Sequence, residues 1–215
     1  MKTVPKWLRR SQVIFAFSLA AVALPASKAQ VRPADFDVTD GKIQSAKGRR
    51  LSVSTKEMRA TLKFTTEQTA TVKFTYLGPT REVAHLGSGE VRSQFGLKLR
   101  AQNDCNTIYV MWRFAPDQKI AVSIQRNPGK RTHADCLDRG YINNLKPRLS
   151  DAPPPVEPNQ PHVLTATMSD SDLSVTADNK LVWWGDLGPV ALALRGPVGL
   201  RSDNARLLFD LLVNR

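Results

Sequence analysis

Few side chains in this sequence are of a type that does chemistry. Cys105 and Cys136 are the only cysteines, and His85, His133 and His162 the only histidines. The glutamates are Glu57, Glu67, Glu82, Glu90 and Glu157. Zinc sites use Cys and His at short, regular spacings, and two Cys without a Cys-x-x-Cys pair lack that spacing. No Gly-x-Ser-x-Gly elbow, phosphate-binding Gly-rich loop or His-Glu-x-x-His occurs, so those nucleophilic, nucleotide and metalloprotease classes are excluded. His133-Ala134-Asp135 is the one close pairing of His with a carboxylate, and a short polar loop carries such a pair by chance. Carbohydrate recognition asks for less. An aromatic face stacks on a sugar ring, and a few amide, carboxylate or guanidinium groups hold the hydroxyls.

The elements that must position such groups are strands nearly throughout. Apolar residues alternate with polar ones over Thr61–Thr65, Thr69–Tyr76, Val91–Arg100, Thr107–Phe114 and Lys119–Arg126. Period-two alternation marks strands with one buried face. Phe95, Leu97 and Leu99 fall on one face, with Gln94, Lys98 and Arg100 on the other. Likewise Ile108, Val110, Trp112 and Phe114 oppose Tyr109, Met111 and Arg113. Leu77-Gly78-Pro79, Gly87-Ser88-Gly89, Ala115-Pro116-Asp117 and Asn127-Pro128-Gly129 read as turns. A second set of strands covers His162–Met168, Leu173–Val175, Leu181–Trp184, Val190–Leu194 and Arg206–Val213. Eleven or twelve short strands favour a two-layer antiparallel sandwich. Pro147–Pro161 contains six prolines. We read it as a long loop in a single domain over 30–215, because the tail beyond it is too short to bury a core of its own.

The tail carries the most specific pattern. A strand from His162 ends in a polar turn, and the next closes on Ala177-Asp178-Asn179-Lys180. A Val-Trp pair follows at Val182-Trp183, then Gly185. Gly196-Pro197-Val198-Gly199-Leu200-Arg201-Ser202 leads into the last apolar strand. This resembles the C-terminal half of concanavalin A-like (laminin-G-like) jelly-roll domains, and in particular exported bacterial versions related to 3-keto-disaccharide hydrolase-like domains. Asp178-Asn179 stands where those domains carry Asp-Gly, and Asn also accepts the left-handed conformation. The resemblance covers residues 160–213 well and 36–126 only in strand order.

The resemblance implies an all-β two-layer jelly-roll sandwich that binds glycans on its concave sheet face. The residues facing away from the Trp112 side would line it: Gln94, Lys98, Tyr109 and Arg113. Trp183 and Trp184 are adjacent, so one of them faces away from the core, and Trp184 is a candidate. Asp203 and Asn204 are candidates on a loop rim, although Ser202-Asp203-Asn204 also suits a capped turn. Laminarinase-like relatives hydrolyse glycans with a Glu-x-Asp-x-x-Glu strand, and no glutamate here begins that pattern. A non-catalytic glycan-binding module is therefore the first reading. A glycan hydrolase or lyase with other catalytic residues is the second, and it would need ionisable side chains converging on the concave face.

The N-terminus reads as an export signal. Lys2, Lys6, Arg9 and Arg10 precede an apolar run from Val13 to Leu24, and Ala29 closes a small-residue cleavage site before Gln30. The run is short of the ~20 residues a membrane span needs. Arg9-Arg10 leaves both the general and the twin-arginine export route open. Removing residues 1–29 lowers the formal charge from +12 to +7. All of that excess lies between Arg92 and Arg148, with eleven Lys and Arg against four Asp. It reads as a solvated basic rim or as attraction for an anionic polymer. A periplasmic or secreted address disfavours nucleic acid. It also favours pairing Cys105 with Cys136, with two free thiols, or a thiolate partnered by His133, as the other readings. No cofactor is called for, and no residue pattern supports a structural calcium.

Overall fold

The computed structural model describes residues 29–214 apart from 67, 88 and 138. The predicted signal segment lies outside the described residues, except for Ala29 at its end. The principal strands are β1 (Phe36–Asp40), β2 (Leu51–Val53), β3 (Glu57–Leu62), β4 (Thr69–Pro79), β5 (Ser93–Asn103), β6 (Asn106–Ala115) and β7 (Lys119–Arg126). They continue with β8 (Pro161–Ser169), β9 (Asp172–Ala177), β10 (Lys180–Asp186), β11 (Gly199–Asp203) and β12 (Ala205–Val213). Two-residue strands at Ala29–Gln30, Gln44–Ser45, Tyr141–Ile142 and Leu149–Ser150 complete the sheets. All pairings are antiparallel.

The nine-stranded sheet runs Leu149–Ser150, β10, β9, β8, β4, β12, β2, Gln44–Ser45, with Ala29–Gln30 also on β12. The seven-stranded sheet runs Tyr141–Ile142, β7, β6, β5, β11, β3, β1. This is the expected two-layer antiparallel sandwich. The apolar phase of each strand faces inward, so Phe95, Trp112 and Leu200 from one sheet meet Phe74, Leu164 and Phe209 from the other. Phe74 sits edge-on to Phe95 at 5.5 Å and to Trp112 at 5.6 Å, the preferred geometry for aromatic pairs.

Local details depart from the sequence reading in places. Leu77-Gly78-Pro79 continues β4 rather than turning, because the Arg206 guanidinium donates to the Leu77 and Pro79 carbonyls that a turn would have satisfied. Val190–Leu194 forms no strand. Pro189 follows Gly188 at φ 73° and opens a short helix, Pro189–Leu192. Asp178 and Asn179 both take left-handed φ, 48° and 66°, as a two-residue hairpin turn requires. The Pro-rich loop is pinned across the nine-stranded sheet: Arg148 N–H donates to Trp184 O, Asp151 N–H to Val182 O and Asn159 N–H to Tyr76 O. The chain on both sides of that loop contributes to both sheets. Among the described residues no helix is long and apolar enough to cross a membrane.

Gly199 is needed for close approach. A Cβ there would lie 2.3 Å from the Ala60 carbonyl oxygen, inside the β3–β11 pairing. Gly199→Ala is expected to destabilise the fold by about 1–3 kcal/mol, read by urea unfolding.

Candidate functional site: a basic cleft on the seven-stranded sheet

The outer face of the seven-stranded sheet carries the polar phase of its strands, and much of it is buried. Gln94 comes from β5, Tyr109, Met111 and Arg113 from β6, and Arg201 and Asp203 from β11. All are at most 6% exposed. They are covered because two loop segments rise beside the sheet. One, between β4 and β5, supplies Leu86, Gly87 and Arg92. The other, after β7, supplies Leu137, Arg139, Tyr141, Asn143 and Leu145. Between them lies a cleft of about 870 Å³.

Its floor is a connected network. The Arg201 Nε donates to Asp203 Oδ2 at 3.0 Å, and its Nη1 to the Tyr141 hydroxyl at 3.1 Å. The same guanidinium lies 5.2 Å from the centre of the Tyr109 ring. Gln94 Nε2 donates to Asp203 Oδ2 at 2.6 Å. The Tyr109 hydroxyl donates to Gln125 Oε1, and Gln125 Nε2 donates to the Leu137 and Arg139 carbonyls. Burial works to lower the Arg201 pKa, but Asp203 together with Tyr109 and Tyr141 outweighs it, so the guanidinium stays charged well above its ordinary range. Burial, with Tyr109 beside it, raises the Tyr141 phenol, so it stays protonated at neutral pH.

The cleft is strongly one-signed. Arg92, Arg113, Lys119, Arg139 and Arg201 line it, and no carboxylate does among the described residues. Among the described residues, two acids beside it are already engaged. Asp203 lies beneath the floor against Arg201. Glu90 pairs with Arg92 and with Arg113 Nη1 at 3.3 Å. The Arg92 hydrogen bond, with the fields of Arg92, Arg113 and Lys119, holds the Glu90 carboxyl below its usual range.

The sequence-predicted residues are thus placed differently from one another. Gln94, Tyr109 and Arg113 line the cleft together, and Asp203 braces its floor. Lys98 shares their face but is wholly buried. Its Nζ donates to Asp104 Oδ1 at 3.1 Å, and burial lowers its pKa against the pull of that carboxylate. It anchors the β5–β6 turn and does not line the cleft. Trp184 stands on the other sheet, 40% exposed, with the Arg148 guanidinium 4.9 Å from its ring centre. Asn204 is consumed as a brace: its amide holds both polar atoms of the Ala84 backbone and the Arg92 carbonyl. Asp135 caps the short helix His133–Cys136 by accepting from the Thr132 N–H.

Sequence reading missed Arg201, although it shares the phase of Asp203 two residues on. It also missed Arg139 and Tyr141, which sit in a stretch without periodicity. Nor is the basic stretch simply a solvated rim. Lys98, Arg100 and Arg113 are buried, and Arg100 donates to the Ala191 and Asp170 carbonyls. Cys105 and Cys136 form a disulfide, with Cα atoms 5.8 Å apart.

This architecture is the concanavalin A-like jelly-roll sandwich. Among solved structures, the chain is similar to the carbohydrate binding module CBM66 from Bacillus subtilis, with a TM-score of 0.57 at 12% identity over 81% of this chain and 91% of that one. It is also similar to the carbohydrate recognition domain of Emp46p, with a TM-score of 0.51 at 10% identity over 89% of this chain and 98% of that one. No family model and no curated protein matches the sequence.

Proposed function

We propose that this protein is an exported, non-catalytic glycan-binding module whose cleft takes an anionic polysaccharide. The observation that carries the reading is the cleft lining: five cations, aromatic rings and, among the described residues, no carboxylate. The half-buried Tyr141 offers ring surface, while Asn143 and Ser123 offer hydroxyl partners. The carbohydrate-binding names of the two similar structures support the sugar class. The disulfide supports an oxidising compartment. Cleavage after Ala29 would leave Gln30 at the new N-terminus, still beside Leu212.

Ionisable groups do converge on this face, as an enzyme would require. Their pairing argues against chemistry. Hydrolysis needs a carboxyl that keeps a proton beside one that does not. Here Glu90 is held ionised by Arg92 and Asp203 is locked to Arg201. A tyrosinate base is equally disfavoured, since Tyr141 holds its proton.

Affinity electrophoresis in gels of polygalacturonate and of neutral galactan tests the proposal. Retention by the acidic gel that weakens with added salt is expected, because partly exposed charge pairs are screened. No new reducing ends should form. Failure to be retained by any acidic or neutral glycan would overturn the binding reading. Arg139→Ala removes a charged donor from the wall and should weaken acidic binding about tenfold or more. Titration calorimetry against oligogalacturonate measures that loss.

A further inference from the structure

We propose that Glu90 is an internal stand-in for the ligand's carboxylate, and that the selective subsite of the cleft is the pair Arg92 and Arg113 that now holds it, with Lys119 paired beside Arg113. The inference rests on the glycan-binding reading and names its ligand class: a sugar bearing a carboxylate, that is, a uronate.

The asymmetry of the ion pair carries the argument. The Arg113 side chain is 7% exposed, whereas its partner Glu90 is 33% exposed. The cation is fixed in the sheet and the acid reaches it from a loop. Arg113 projects from near the C-terminal end of β6, paired through its backbone with Gln94 and Lys119 on either side. The loop carrying Glu90 is fastened at Ala84 and Arg92 by Asn204, and a tight turn closes between Leu86 and Glu90. Arg92, Arg113 and Lys119 all line the cleft, so an anion entering it meets the two guanidiniums that Glu90 pairs with, and Lys119 besides.

Donor capacity is also left over. The Nε atoms of Arg92 and Arg113 are buried without a hydrogen-bond partner. A guanidinium offers five donors in a planar fork that a second carboxylate geometry could use. A buried guanidinium stripped of its carboxylate is costly, so Glu90 can leave only if an equivalent anion takes its place. A uronate carboxylate matches it in charge and shape. A neutral sugar hydroxyl does not match it in charge.

An internal competitor lowers apparent affinity in proportion to the fraction of time it holds the site. Glu90→Gln removes the competing charge, and binding of oligogalacturonate should tighten about five- to tenfold in calorimetric titration. Glu90→Asp keeps the charge but shortens its reach, and should show part of that gain. If Glu90 only holds Arg113 in place, both variants would bind more weakly or unchanged, which overturns the inference. Thermal unfolding of each variant establishes that it is folded before titration. A sulfated galactan bound in preference to oligogalacturonate would overturn the carboxylate assignment. Wild-type binding to glycans with no gain in either variant would sink this inference alone. No glycan bound by the wild type or the variants would sink the glycan-binding reading with it.

Discussion

Arg201→Met is expected to destabilise the protein by about 3–5 kcal/mol, the cost of leaving one member of a buried ion pair uncompensated. Arg201 is 5% exposed and Asp203 is 2% exposed. In the native protein the Asp203 carboxylate accepts from Arg201 Nε and from Gln94 Nε2. Without Arg201, one neutral amide is left to offset a carboxylate that water does not reach. Tyr141 would also lose the donor that ties its hydroxyl to the floor. The companion variant Arg201→Met with Asp203→Leu removes both charges, and it should recover a large part of the loss. Equilibrium urea unfolding of the two single variants and the double variant gives the coupling directly. A loss below about 1 kcal/mol for Arg201→Met would mean that the pair behaves as a surface salt bridge.

That network shows what the sequence makes legible and what it does not. Alternation around Phe95 and Trp112 assigns Gln94, Tyr109 and Arg113 to one outward face without any structural input. The structure gathers those three in one cleft because β5 and β6 pair in register, Gln94 against Arg113 and Lys98 against Tyr109. Periodicity also separates the Leu200 face from the Arg201 face, but not which strand lies beside β11. Only the sheet order brings Asp203 next to Gln94.

The remaining cleft residues leave no periodic trace. Arg139 and Tyr141 follow a turn and a one-turn helix, and long-range bonds place them. Residue type misleads at two positions for a related reason. Asn204 has the chemistry of a ligand group, but its donors and acceptor are spent on the neighbouring loop. Lys98 has the charge of a rim residue, but Asp104 lies close enough to hold it inside. At Trp183-Trp184, adjacency says that the two side chains diverge without saying which sheet carries them. The register shift between Val175 and Thr176 turns both Val182 and Trp183 inward and leaves Trp184 on the outside of the nine-stranded sheet. Net charge is the coarsest guide: the same count fits a solvated rim and a row of buried or cleft-lining guanidiniums.

Cys105→Ala with Cys136→Ala is expected to lower stability by about 3–4 kcal/mol and to weaken acidic-glycan binding as a separate effect. The first part follows from the sequence separation of 31 residues, since the cross-link restricts the unfolded chain. The second follows from where the bond sits. Cys136 ends the short helix that immediately precedes Leu137, Arg139 and Tyr141 in the cleft wall. Gln125 and Asn127 hold the carbonyls of that wall from the β7 side. The disulfide holds it from the β5–β6 turn. Losing that anchor frees side chains that binding must then order again, at about 0.5–1.5 kcal/mol for each. For Arg139 alone that is roughly a two- to tenfold loss of affinity. Titration of oligogalacturonate at a temperature where the variant is fully folded separates the two effects. A variant that loses stability but keeps wild-type affinity would show that Gln125, Asn127 and the pairing of Tyr141–Ile142 with β7 suffice to position Arg139. A variant that loses both would make the Cys105–Cys136 bond a part of the recognition surface.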